Sequence, residues 1–329
     1  MINKDAKLNP DLFDPSIEKK PTRDGFGHGV VEAGKENENV VVLCADLKES
    51  TRAEWFEKEF PNRFIEMGVA EQNLATVGAG MAAEGKIPFV ASYAAFSPGR
   101  NYEQIRTTIA LNNVPVKICG MHAGVSVGPD GATHQMLEDT GMMRMLPRMI
   151  VLNPADAEEA RKATLAASRY DGPVYLRFGR SAVPLFTTLD TPFEIGKAIR
   201  LWHSDRPKIA LFTTGSLAYN ALAAARALEA DGIGVSVTHF HTVKPLDTEA
   251  ILEAAQRSGR VLTIEEHQIN GGFGSAVAEV LSEAYPVPVT RLGINDSFGQ
   301  SGEPDELLAH YGLSAAGIAE RVRAIVGGK

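Results

Sequence analysis

Short apolar runs recur along the chain, and each is followed by a longer stretch in which apolar residues return every third or fourth position. Segments 40–45, 64–67, 88–93, 114–120, 149–153 and 174–178 are brief and rich in β-branched or aromatic residues, which predicts strands. Between the last two, segment 156–169 spaces Ala160, Ala163, Leu165 and Ala166 as an amphipathic helix would. This alternation predicts a parallel sheet covered by helices. The pattern weakens after Ser181, where Pro184, Thr187, Thr188, Thr191 and Pro192 gather, and residues 186–206 read as a linker. A second alternating unit follows, with strands expected at 208–214, 235–240, 260–265 and 288–292 and helices at 219–230 and 248–257. The fold class expected is therefore α/β, with two successive parallel-sheet domains at 26–185 and 207–329. Residues 1–25, polar and carrying Pro10, Pro15 and Pro21, read as an N-terminal arm.

Composition narrows the function. Apolar and charged contents of 44% and 22% are ordinary for a globular protein. A net charge of −8 argues against nucleic acid as the main ligand. No apolar run approaches a membrane span, and the first residues lack a signal core, so no membrane partner is expected and the cytoplasm is the default location. Cys44 and Cys119 lie in apolar runs without metal-ligand spacing and read as buried thiols.

The chemistry concentrates in a few places. Glu71 begins a small-residue segment, AEQNLATVGAGMAAEG over 70–85, whose composition permits close helix packing. A carboxylate there must be paired, hydrogen-bonded or held protonated. It serves either as a helix-start residue favoured by the dipole or as a proton-relay acid. Gly120-Met-His122 ends a strand, and Gly128-Pro-Asp130-Gly-Ala-Thr-His134 opens the next element. Two histidines and an aspartate on one strand-loop unit point to a ligand loop beyond a strand's carboxyl end. Tyr93 and Phe96 sit where a strand gives way to a turn, a position that also suits core packing. Arg23 and Arg180 could bind phosphate through their planar forks or simply be solvated. The His239-Phe-His241 spacing would place two ligands on one strand face, yet no third partner is evident, and no metal site is expected. Gly271-Gly-Phe-Gly274 lacks the spacing of a dinucleotide loop.

From about Thr22 to about Gly302 the chain resembles the transketolase family, in blocks that fall in the family's order. They are Ala45-Asp46-Leu47…Ser50, GVAEQN, IPFVASYAAF, GPDGATHQ, LRFGR, HTVKPLD and EEHQINGGFGS. The resemblance implies an enzyme that transfers a two-carbon ketol unit from a ketose phosphate to an aldose acceptor, using thiamine diphosphate and Mg²⁺. It implies that Glu71 bonds the cofactor's aminopyrimidine nitrogen and that Phe96, supported by Tyr93, lies against that ring. Asp46 would lie near the thiazole, with His134 at the reacting oxygens. Asp130 would contact a donor hydroxyl, and Arg23, Ser50, His122 and Arg180 would bind the substrate phosphate. Tyr102 aligns poorly for a cofactor contact, because segment 97–102 does not follow the family pattern.

The G-D-G…N segment with which such enzymes hold the Mg²⁺-diphosphate is missing. The resemblance is therefore to the C-terminal subunit of a split transketolase. Its expected partner is an N-terminal subunit bearing the diphosphate-binding domain and the metal ligands, with two copies of each chain in the assembly. Deoxyxylulose-phosphate synthase shares V-K-P-L-D and a similar glutamate motif, and the 2-oxo acid dehydrogenase β subunit shares the two-domain layout. An assembly subunit without catalytic work is the reading from another class.

Overall fold

The computed structural model describes residues 1–327. In chain order the strands are β1 (Lys19–Pro21), β2 (Val40–Cys44), β3 (Phe64–Glu66), β4 (Ile87–Tyr93), β5 (Lys117–Met121), β6 (Ile150–Leu152) and β7 (Val174–Arg177). They continue as β8 (Ala182–Pro184), β9 (Ile199–Trp202), β10 (Ile209–Thr213), β11 (Val235–His239), β12 (Thr242–Lys244), β13 (Val261–Gln268) and β14 (Val289–Ile294). The first large sheet has the order β12-β6-β7-β5-β4-β2-β3, and the second the order β14-β13-β10-β11-β9. Both are parallel apart from one antiparallel edge strand each, β12 and β9.

Every residue of β2 is buried, as an unbroken Val-Val-Val-Leu-Cys run requires of a strand covered on both faces. On one face the helix Glu71–Ala83 packs Leu74 and Ala75 against Leu43, Val90 and Ile118. On the other, helices Thr22–Glu36 and Ala157–Arg169 bring Phe26, Val30, Ala160 and Ala163 against Phe89 and Leu176. These two helices nearly touch at Gly25, where a Cβ would lie 2.0 Å from the Ala157 carbonyl oxygen. Only glycine permits that approach.

The two units are not as separate as the hydropathy pattern implies. The stretch read as a linker contains β9, which pairs with β11 as an edge strand of the second sheet. Its polar beginning is also fixed, because the buried Asp156 carboxylate accepts the backbone N–H groups of Phe186 and Thr187 at 2.9 and 2.7 Å. The arm is likewise ordered. Its last residues, from Thr22, form the first turn of a helix, and Asn3 donates its N–H to the Leu201 carbonyl at 2.9 Å. Ala6 and Leu12 are buried in the second unit's core. Proline and threonine content marks the loss of helical periodicity, but an isolated edge strand such as Ile-Arg-Leu-Trp is too short to announce itself.

A further exchange joins the units. β12, which follows β11 in the chain, leaves the second sheet and pairs with β6 of the first. Next to it, His239 Nε2 lies 2.8 Å from Glu159 Oε2, both side chains fully buried, and His241 stacks on Phe193 at 4.2 Å. The H-x-H pair thus packs at the junction of the units. Burial alone would raise the Glu159 carboxyl, but His239 and then His241 hold it down at about 2.

Candidate active site

Parallel strands deliver their following loops to one edge of the sheet, and the candidate residues gather there. Asp46 follows β2, Glu71 comes shortly after β3, Tyr93 ends β4 and Phe96 follows it, His122 follows β5, and Arg180 lies beyond β7. Arg23 joins them from the first turn of the helix Thr22–Glu36.

Glu71 is the first residue of its helix and its side chain is only 1% exposed. Its Oε2 accepts a 2.6 Å hydrogen bond from Arg100 Nη1 and its Oε1 a weak 3.3 Å one from Ser92 Oγ. The buried Asn101 side chain donates to the Glu71 backbone carbonyl at 2.8 Å. A buried carboxylate is therefore fixed in place from its own backbone and presented to a loop. Phe96, half-buried, lies in that loop.

Four rings form a continuous wall beside it. Tyr93 stacks on His122 with centroids 4.1 Å apart and on Phe96 at 5.9 Å. His134 meets the edges of Tyr93 and Phe96 at 6.0 and 5.5 Å, and its Nδ1 lies 2.9 Å from Thr133 Oγ1. At the far end of the wall, Arg23 Nη1 donates to the Ser50 carbonyl oxygen and to His122 Nε2, both at 2.9 Å. Burial, then Arg23 and Arg180, push the buried His122 imidazole down to about 3. It is neutral at physiological pH and accepts rather than donates at Nε2. Burial and the neighbouring Arg52 lower Arg23 as well, and its Nε is buried without a partner. Arg180 Nη1 donates to the Val127 carbonyl at 2.9 Å and lies 3.4 Å from Asp130 Oδ2. The Arg23–His122–Arg180 corner is thus electropositive and under-supplied with acceptors, as an anion site would be.

Ser50 meets Arg23 through its backbone carbonyl. Asp46 is exposed and held in the left-handed region at φ 58°, its N–H bonded to Glu66 Oε1 at 2.8 Å. Tyr102 turns away, donating its hydroxyl to the Met142 carbonyl at 3.1 Å. The expectations missed Arg100 and Asn101, which lie in the segment that fails to align with the family pattern. The only sequence signal for them was a pair of polar residues just after an aromatic turn.

The loop carrying His122, Asp130 and His134 is clamped from behind by the second unit. Glu266 Oε1 accepts the Ser126 N–H at 2.5 Å, and Gln135 donates to the Gln300 carbonyl at 2.9 Å. Arg177, fully buried, donates to Asp139 Oδ2 at 2.8 Å and to the Glu266 carbonyl at 2.9 Å. The Gly271-Gly-Phe-Gly turn starts a helix whose first N–H groups bond the Glu265 carboxylate at 2.7 and 2.8 Å. Its anion-binding capacity is spent internally.

The pyrimidine side of a thiamine cofactor fits these residues, with a buried carboxylate and a flat ring face side by side. A metal does not fit in the same way. Among the described residues, no group of three or more His, Cys, Asp or Glu could hold one. No helix among them is long and apolar enough to cross a membrane.

Residues 18–185 match the family model "Transketolase, pyrimidine binding domain" and residues 196–318 match "Transketolase, C-terminal domain". A putative transketolase C-terminal section from Methanocaldococcus jannaschii is 42% identical, with 92% of this chain and 95% of that protein covered. A 6-deoxy-6-sulfo-D-fructose transketolase subunit from a Clostridium species is 37% identical over 93% and 94% of the two chains. A solved structure described as "Split gene transketolase, inactive beta4 tetramer" superposes with a TM-score of 0.86 at 45% identity, covering 93% of this chain and 98% of that one. The chain belongs to the transketolase family, whose members depend on thiamine diphosphate and Mg²⁺, and constitutes its pyrimidine-binding and C-terminal domain pair as a separate subunit.

Proposed function

We propose that this chain is the pyrimidine-binding half of a two-chain transketolase, working with an N-terminal subunit that supplies the diphosphate and Mg²⁺ ligands, two copies of each forming the enzyme. The observation that carries the reading is the juxtaposition of the buried Glu71 carboxylate with the Tyr93–Phe96–His134 wall, the two spanned by the Arg100 guanidinium. When bound, the cofactor supplies the nucleophilic carbon for ketol transfer from a ketose phosphate to an aldose. Glu71 would hold a proton at the pyrimidine nitrogen, and Phe96 would orient the ring, with Tyr93 behind it. Asp46, exposed at the end of β2, is proposed to border the thiazole. His134 would move protons at the reacting oxygens and Asp130 would bond a donor hydroxyl. Arg23, His122, Arg180 and the turn at Ser50 would receive the substrate phosphate. A solved structure described as an inactive beta4 tetramer of a split-gene transketolase is consistent with a requirement for a partner. The test is turnover by the purified chain with thiamine diphosphate, Mg²⁺ and a panel of ketose and aldose phosphates, with and without the N-terminal subunit. Activity is expected only with both chains; robust ketol transfer by this chain alone would overturn the proposal.

Phosphate recognition has its own test. Arg180 is partly solvated and already shared with Asp130 and Val127, so its removal should leave the fold intact. Arg180→Ala is expected to raise KM for phosphorylated sugars by roughly ten- to a hundredfold, the worth of one charge-assisted contact of about 1.5–3 kcal/mol. KM for unphosphorylated sugars should hardly change. Equal effects on both substrate types would remove Arg180 from the phosphate site.

A further inference from the structure

Arg100 occupies both features that a cofactor pyrimidine would need. Its Nη1 lies 2.6 Å from Glu71 Oε2, and its guanidinium carbon lies 5.0 Å from the centre of the Phe96 ring. A guanidinium and a protonated aminopyrimidine share a chemical outline. Both are flat, both carry positive charge, both present adjacent N–H donors to a carboxylate, and both stack on aromatic faces. One group therefore stands where the other is expected.

The two ends of this ion pair differ in how firmly they are held. Glu71 is 1% exposed and anchored through its backbone by Asn101, whereas the Arg100 side chain is 48% exposed. A buried carboxylate with no counter-charge is strongly destabilising, so the subunit without cofactor needs a cation at this point. Arg100 supplies it. Its side chain pairs with Glu71 and lies over Phe96, and the half that faces water can be rehydrated at little cost when it leaves. The buried Arg177–Asp139 pair, at 6% and 0% exposure, has no such freedom.

We propose that Arg100 is a displaceable placeholder for the cofactor's pyrimidine ring, keeping Glu71 paired in the free subunit and competing with the cofactor for the carboxylate. The inference rests on the reading of Glu71 as the ring's partner. It predicts that removing Arg100 strengthens binding of the pyrimidine half, the reverse of what loss of an ordinary binding-site arginine does.

The experiment titrates 4-amino-5-hydroxymethyl-2-methylpyrimidine, the ring without thiazole or diphosphate, into the full-length chain by ligand-observed NMR. Wild type, Arg100→Ala, Arg100→Gln and the double variant Glu71→Ala/Arg100→Ala are compared, with far-UV circular dichroism as the folding control. Arg100→Ala and Arg100→Gln are expected to bind about five- to tenfold tighter than wild type, the effect of removing a competing, partly screened ion pair. Wild-type binding should strengthen with added salt, as the competing pair is screened, relative to that of the Arg100 variants. Absence of any gain in the folded Arg100 variants would overturn the placeholder while leaving Glu71's role to its own test. A gain that survives in the double variant would show that the ring does not sit on Glu71, overturning the functional reading itself.

Discussion

Glu71→Gln is expected to abolish nearly all ketol transfer while leaving the subunit folded and able to assemble. Glutamine has the shape of the carboxylate and can still bond Ser92 and keep the helix start, where Asn101 grips the backbone and not the side chain. It loses the charge that pairs with Arg100 and, on the function proposed above, the ability to share a proton with a ring nitrogen. Positioned proton transfer of this kind is worth typically ~10²–10⁴-fold in rate, and an effect of that size is expected on kcat. The discriminating measurement is exchange of the cofactor's C2 proton into deuterated water in the two-chain complex. It reports the activation step without the sugar chemistry. Exchange at the wild-type rate would make Glu71 a helix-start residue and nothing more.

The largest effect on stability is expected at Asp139→Ala. Asp139 and Arg177 are buried together, and Asp139 Oδ2 also accepts from the Tyr175 hydroxyl at 2.7 Å. Removing the carboxylate strands a guanidinium in the interior, a change that costs about 3–5 kcal/mol for a buried pair. Burial would raise the Asp139 carboxyl, but Arg177 and then His267, with bonds from Arg177 and Tyr175, outweigh it and hold the group below its ordinary value. A carboxyl depressed by folding contributes stability that is complete above its unfolded pKa and is lost as pH falls through the lower, folded value. Wild type should therefore surrender this contribution only below about pH 4, and the variant's acid limb should be correspondingly flatter. Urea unfolding midpoints from pH 3 to 8 would measure both. A loss of under about 1 kcal/mol at pH 7 would mean that Arg177 finds enough compensation from the Met136 and Glu266 carbonyls.

How much of this was legible in the sequence varies by element. The central strands were plain because each is a buried, β-branched run, and β2, β4 and β11 fall where the hydropathy pattern put them. The helix Ala157–Arg169 was equally plain, with its capping aspartate directly before it. Edge strands β9 and β12 were not, since three or four residues with one side open carry too little periodicity. At the candidate site, Glu71, the two loop histidines and Phe96 stand in motifs that the sequence displays locally. Arg100 was hidden because its role depends on a turn that folds it back over Phe96 and onto a carboxylate 29 positions earlier. The Glu266 and Arg177 clamp was hidden for a similar reason, as the two residues are 89 positions apart and read as ordinary strand residues.

The crossing of β12 into the first sheet has a consequence for how the subunit can be cut. Trimming the chain after β8 would strip β6 of its neighbour and expose the row of unpaired amides and carbonyls that recruits other chains. The same cut would remove the Glu266 carboxylate from the Ser126 amide. A fragment limited to the pyrimidine-binding region would therefore be a sticky sheet with an unsupported histidine loop. The two units share a strand and a clamping contact, so an engineered minimal version that keeps both has to retain residues through at least β13.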